Sequence, residues 1–243
     1  MKIDTLTDAA KRYIEEGIGT GEFFPGQQLK ENEIARRLEI SRPPIREAFK
    51  LLEAQGLVVR KPRRGVFVSE ITEKDIWEVY TFKAAIYEMA IGLALRKFTP
   101  SDIERLERLI DRMDSCVQME PPEIPGYQSA HSEYHLVVLE ASGNRRLMEV
   151  AATLHQQVRR ASCKSLRNNE HLRSSLQYHR EIVRAAKEGN AARARVLMRE
   201  HVLVGLNVLI DGFGYDALDS DSIPSWKNPV GIQTEQLSAY AMS

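Results

Sequence analysis

Cysteine is almost missing from this sequence: Cys116 and Cys163 are the only two in 243 residues, and they stand far apart. Such a chain has no disulfide framework and no paired thiolates for a metal, so both thiols are expected to be reduced and at least one buried. Long apolar runs are missing too. No stretch approaches the roughly 20 residues that span a bilayer, and the N-terminus has no signal-peptide core, which predicts a cytoplasmic protein with no membrane partner. Net charge is also absent, with 34 Lys and Arg balancing 34 Asp and Glu. That balance excludes a surface attracting nucleic acid everywhere, although it permits a local surplus. The sequence offers neither a Ser/His/Asp arrangement nor a phosphate-binding glycine loop, which argues against an enzyme.

What remains is an ordinary globular composition, 43% hydrophobic and 28% charged, in a chain long enough for one large or two moderate domains. The charge is spread unevenly. From Lys30 to Arg64 ten Lys and Arg stand against five Asp and Glu, whereas residues 65–243 hold 21 against 24.

The basic region contains two short amphipathic segments. Glu31 to Leu38 places Ile34, Ala35 and Leu38 on one face, and Arg42 to Gln55 places Ile45, Ala48, Phe49 and Leu52 at helical spacing. Ser41 is expected to N-cap the second segment, with Pro43 and Pro44 in the first turn, where a missing N–H costs little. Arg42 and Arg46 then lie one turn apart on the outer face. Downstream, Leu57-Val58-Val59 and Gly65-Val66-Phe67-Val68 flank Arg60-Lys61-Pro62-Arg63-Arg64, which predicts a hairpin with four positive charges in a five-residue connection. Leu6, Ala10, Tyr13, Ile14 and Ile18 supply a helix ahead of all this. Residues 1–69 therefore read as a winged helix-turn-helix. Its second helix offers arginines to guanine edges in a major groove, and its wing offers cations to phosphates.

From Asp75 the pattern is helical throughout. Asp75 to Lys97 carries Ile76, Val79, Phe82, Ile86, Met89, Ala90 and Leu93 as a stripe, and Ile103 to Met113 repeats the period. Four more helices follow over 128–140, 145–166, 171–187 and 191–210, separated by Gly143, an Asn168-Asn169 pair and Gly189-Asn190, with Asn144 capping the second of them. The fold class is thus mainly α: an N-terminal winged helix-turn-helix plus a C-terminal antiparallel six- to seven-helix bundle over 75–212. Residues 213–243, rich in Asp, Ser and Pro without periodicity, are expected to form a flexible tail.

Four of the six histidines fall on apolar helix faces. His131 and His135 are i and i+4 on one helix, while His179 and His201 lie on the inner stripes of the last two. Any one alone is an ordinary core histidine. Four from three helices, aimed into one bundle, make a candidate metal site, and an all-nitrogen set suits zinc, nickel, cobalt or copper better than magnesium or calcium.

Both regions resemble known families. Residues 6–69 are similar to the N-terminal domain of GntR-family bacterial transcription regulators. The shared features are Pro25-Gly26 with Leu29 and Glu31, Ile34-Ala35-Arg36-Arg37-Leu38, Ser41-Arg42-Pro43-Pro44-Ile45-Arg46-Glu47-Ala48, Leu52-Glu53 with Gly56-Leu57-Val58, and Gly65-Val66-Phe67-Val68. The resemblance implies operator contacts by Ser41, Arg42, Pro43 and Arg46, and by Gly65 of the wing, where Arg64 adds charge. Residues 75–210 resemble the FCD effector-binding domain of the FadR subgroup. They share an H-x-x-x-H segment followed by Ala141-Ser142-Gly143-Asn144, then Tyr178-His179-Arg180-Glu181-Ile182, Gly189-Asn190-Ala191 and Met198-Arg199-Glu200-His201.

Metal-binding members of that subgroup usually supply one Asp and three His, at positions matching His131, His135, His179 and His201, so His131 stands where the aspartate is usual. The resemblance further implies a homodimer on double-stranded operator DNA, repression as the usual mode, and a small organic acid bound beside a divalent metal, zinc or nickel, that modulates operator affinity. An effector-binding arginine of the family falls on Lys83. Arg159, on the fourth bundle helix, is a second candidate to hold the carboxylate. Two alternatives stand beside this reading: a sensor whose ligand is the metal itself, and a metalloenzyme. The latter is weak, because in His131-Ser132-Glu133-Tyr134-His135 the glutamate is turned to the far side of the helix from the zinc-protease position.

Overall fold

The computed structural model describes residues 5–211, which form two compact units, one of residues up to 79 with 149–162, the other of 80–148 with the residues from 163 onward. In the first unit α1 (Leu6–Thr20) opens with a capping box: the Thr5 hydroxyl accepts from the Asp8 N–H and the Asp8 carboxylate accepts from the Thr5 N–H, both at 3.1 Å. Strand β1 (Gln28–Leu29), helix α2 (Glu31–Arg37), helix α3 (Arg42–Ala54) and strands β2 (Val58–Lys61) and β3 (Gly65–Val68) follow. The sheet has the order β1-β3-β2 with antiparallel pairing throughout. Ala10, Ile14, Ile34, Ile45, Ala48, Phe49, Leu52, Val66 and Val68 form its core.

Three details differ from expectation. Ser41 occupies the N-cap position of α3 but makes no capping hydrogen bond. The cause is local: an N-cap oxygen accepts from the second or third helical N–H, and here those residues are Pro43 and Pro44, which have none. The two-residue strand β1 was not expected; it is too short to carry a period of its own. The hairpin tip is also shorter than five residues, because Arg60 and Lys61 pair in the ladder opposite Val66 and Gly65. Pro62-Arg63-Arg64 alone form the turn, with Arg63 at φ 59° and the Arg64 N–H donating to Lys61 O at 3.0 Å. Gly65 follows at φ 102°, where a Cβ would stand 3.0 Å from Gln28 Nε2, so glycine answers both the backbone and the close approach.

The remaining helices are α4 (Glu73–Ala94), α5 (Pro100–Val117), α6 (Ile124–Ser142), α7 (Arg145–Ser165), α8 (Asn169–Lys187) and α9 (Ala191–Asp211), of which most of α7, residues 149–162, groups with the first unit. Two more capping boxes, Thr72 with Asp75 and Thr99 with Asp102, start α4 and α5; Asn144 caps α7 as expected, and Asn168 caps α8. Helix α6 begins earlier than expected, with Pro125 in its first turn, where proline is tolerated. In the second unit α5 packs along α6 and α8, and α8 along α9.

Helix α4 is apolar nearly all round, which misleads a stripe read from sequence. The interior is taken by Tyr80, Lys83, Ala84, Tyr87, Ala90, Ile91 and Ala94, whereas Phe82, Met89 and Leu93 are exposed. Neither cysteine is fully buried, contrary to expectation. No helix of the described residues is long and apolar enough to cross a membrane. The expected flexible tail, 213–243, lies outside the described residues.

Candidate nucleic-acid interface and metal centre

Ile45, Ala48, Phe49 and Leu52 pin α3 to its core at no more than 1% exposure, which turns Arg42 and Arg46 to solvent. Residues near the start of α2 meet both. Arg46 Nε donates to Glu31 Oε2 at 2.8 Å, and Arg42 Nη1 reaches Asn32 Oδ1 at 3.4 Å. Exposed pairs of this kind add little stability, so their consequence is orientation: both guanidinia are extended over α2 and remain accessible. Ser41 and Pro43 are exposed beside them.

On the wing, Lys61 Nζ lies 4.8 Å and the Arg64 guanidinium 6.0 Å from the Phe67 ring centroid, while Arg60 pairs with Glu53 at 3.5 Å. An open cleft of about 530 Å³ joins the two elements, its walls carrying Lys30, Arg36, Arg42 and Arg60 against Glu31 and Glu33. The arrangement is a basic, concave surface with arginines at a helix N-terminus, suited to a duplex backbone and its base edges.

The second site is inside the bundle. His131 and His135 on α6, His179 on α8 and His201 on α9 each bring one ring nitrogen to a common point, all within 4.8 Å of one another. His201 Nε2 lies 3.3 Å from His131 Nε2 and 3.2 Å from His135 Nε2. Nitrogens held about 2.1 Å from a shared metal are roughly 3.0–3.4 Å apart when adjacent, so these two separations match neighbouring ligands of one ion. His179 Nδ1 stands 2.6 Å from Ser175 O. A carbonyl only accepts, so Nδ1 carries the proton and the lone pair of Nε2, which has no hydrogen-bond partner, is directed away from its own helix.

Charge favours the same form. Burial, then the neighbouring imidazoles, push His131 and His201 well below the usual histidine range, and burial lowers His179 to about 4. All three are neutral at pH 7, the state in which imidazole binds a metal. The donor set therefore fits a divalent transition metal. The surrounding shell is incomplete by the usual standard, since the buried Nδ1 atoms of His131 and His201 have no partner to hold them.

Lys83 is buried beside this cluster. Its ammonium lies 5.4 Å from the Tyr80 ring and 5.5 Å from the Tyr87 ring, and burial lowers it to about 8. Tyr87 in turn meets the His135 ring edge-on at 4.7 Å. Arg159 is engaged elsewhere: it belongs to the first unit, where its guanidinium lies against Gly19 of α1, 2.7 Å from where a Cβ would stand.

Two polar residues were not anticipated. His171, with an unpartnered Nδ1, is buried against Gly205 and is lowered to about 4 by burial. Gln128 is buried with neither amide atom hydrogen-bonded. Spacing held a signal for both: 171, 175 and 179 share one face of α8, and 128, 131 and 135 share one face of α6.

Comparison with known proteins agrees with both halves. Residues 6–68 match the family described as bacterial regulatory proteins, gntR family, and residues 78–203 match the FCD domain. The chain is 25% identical over 196 residues to the uncharacterized HTH-type transcriptional regulator YdhC of Bacillus subtilis, covering 80% of this chain and 84% of the relative. It is 22% identical over 205 residues to the HTH-type transcriptional repressor GlaR of Escherichia coli, covering 82% and 93%. In fold it is similar to E. coli McbR/YncC, with a TM-score of 0.76 at 19% identity over 87% of this chain and 100% of that one. A transcriptional regulator GntR from Rhodococcus is similar at TM-score 0.69 and 24% identity, covering 84% and 97%. The chain belongs to the GntR family of bacterial regulatory proteins, in the group that carries an FCD domain, and is a DNA-binding transcription regulator rather than an enzyme.

Proposed function

We propose that this regulator is a cytoplasmic homodimer whose operator affinity is set by a small carboxylate effector bound at a divalent transition metal, zinc or nickel, in the bundle. His131, His135, His179 and His201 would hold the ion, and its open positions would supply Lewis-acid contacts for a carboxylate oxygen. The observation that carries this reading is the convergence of four ring nitrogens from three helices, with no carboxylate in the set. Four neutral ligands leave the ion's charge unbalanced, which favours an anion beside it. Lys83 adds a second positive group.

On the DNA side, Ser41, Arg42, Pro43, Arg46, Arg64 and Gly65 would meet the operator, Arg42 and Arg46 reading bases and the wing residues the backbone. Repression is adopted because GlaR is named a repressor. Pairing of two copies is supported by the stripe Phe82, Met89 and Leu93, which α4 leaves exposed among the described residues. The test is an electrophoretic shift with DNA upstream of the protein's own gene, repeated with zinc or nickel and with small carboxylic acids added separately. The proposal expects retardation by the metal-loaded protein and relief by an acid. Relief by the metal alone would establish the ion as the signal.

A further inference from the structure

Helix α6 carries a third polar side chain on the face that holds its two histidines. Gln128 is one turn before His131 and two turns before His135, so all three project from one side. It is 5% exposed, and neither Oε1 nor Nε2 has a hydrogen-bond partner. A primary amide brings two donors and two lone pairs, and burying it unpaired costs more than an ordinary hydrogen bond returns. A core position that only had to be filled would favour leucine.

The neighbourhood is suited to a polar ligand. Lys83 faces the cluster from α4, framed by Tyr80 and Tyr87, with no carboxylate among the described residues to neutralise it. His171 leaves its buried Nδ1 without a partner. Gly205, one turn beyond His201, leaves a methyl-sized gap: a Cβ there would stand 3.4 Å from Tyr80 Cε1 and 3.7 Å from His171 Nε2.

An ionised carboxylate is acceptor-only. It satisfies an ammonium, a metal and the NH2 of an amide, but it leaves the amide oxygen unpaired. This holds whichever way the Gln128 amide is turned. We propose that Gln128 is a specificity-determining residue of the effector site, its oxygen accepting from a hydroxyl on the ligand, so that the site takes a hydroxy acid in preference to the corresponding plain acid. The inference rests on the reading of the bundle as a metal and carboxylate site, and deepens it.

The test uses full-length, nickel-loaded protein and calorimetric titration with two matched pairs, lactate with propionate and malate with succinate, nickel content being measured in parallel. The hydroxy member of at least one pair should bind about tenfold or more tightly. A hydroxyl beside a carboxylate also chelates metal by itself, so the decisive comparison is Gln128→Leu. This variant should keep its nickel and lose most of the preference. Its metal-free form should be no less thermostable than the wild type, since an apolar residue of similar size replaces an unpaired amide.

Equal affinity within both pairs, or a preference that survives Gln128→Leu, overturns the inference while the effector reading stands. A marked drop in melting temperature of the metal-free variant also overturns it, because the amide would then be satisfied internally. A protein that takes up no nickel, or that holds nickel and binds none of the four acids, overturns the effector reading and this inference together.

Discussion

Arg46 separates the two jobs a surface arginine can have. Its bond to Glu31 at 2.8 Å is exposed and contributes little to stability, so its worth lies in presenting the guanidinium to a ligand. Arg46→Ala should therefore leave the melting temperature nearly unchanged and weaken specific operator binding by about 1–3 kcal/mol, read by fluorescence anisotropy against specific and scrambled duplexes. Equal loss on both duplexes would assign it to phosphate rather than base contact. In the bundle, His179 is the histidine whose other nitrogen is held by a backbone carbonyl at 2.6 Å, which fixes both tautomer and ring. His179→Ala should lose most bound metal, whereas His131→Asp, which restores an anionic donor, should retain it to lower pH in a competition assay. Retention of wild-type metal content by His179→Ala would remove it from the site.

At the scale of elements, the sequence was most legible where a helix has one apolar stripe. Helix α3 reads correctly because Ile45, Ala48, Phe49 and Leu52 recur at helical spacing among polar residues, and their burial leaves the arginines outward. Helix α4 does not, because its residues are apolar on every side and nothing local says which will face Lys83's interior and which will face out. The histidine quartet was legible by periodicity alone. Gln128 and His171 were not singled out, because a buried amide or imidazole becomes informative only when its partners are seen to be missing. The α3 cap shows the reverse failure: Ser41 has the right type and position, yet the prolines that follow remove the donors. Ser41→Ala should accordingly change stability by less than about 0.5 kcal/mol in chemical denaturation, against about 1 kcal/mol for a working cap. A larger loss would mean the hydroxyl has another structural partner.

For the whole molecule, the buried imidazoles tie stability to acidity. His171 and His179 bind a proton in the unfolded chain near 6.5 but in the folded chain only near 4. The folded state therefore holds fewer protons in that window, and stability is full above about 6.5 and falls as pH drops toward 4. The slope should approach about 1.4 kcal/mol per pH unit for each histidine in metal-free protein, measured by urea denaturation between pH 7.5 and 4.5. A flat profile would mean that the rings are already solvated. The exposed stripe on α4 bears on assembly: Met89→Glu should shift the protein toward monomer in analytical ultracentrifugation and weaken binding to a two-half-site operator.

The account depends most on the bundle holding an ion. Metal analysis of full-length protein purified without chelators tests that directly: the four-histidine cage predicts about one zinc or nickel ion per chain, removed when the histidines are protonated. Metal content near zero, unchanged after incubation with excess zinc or nickel, would contradict it.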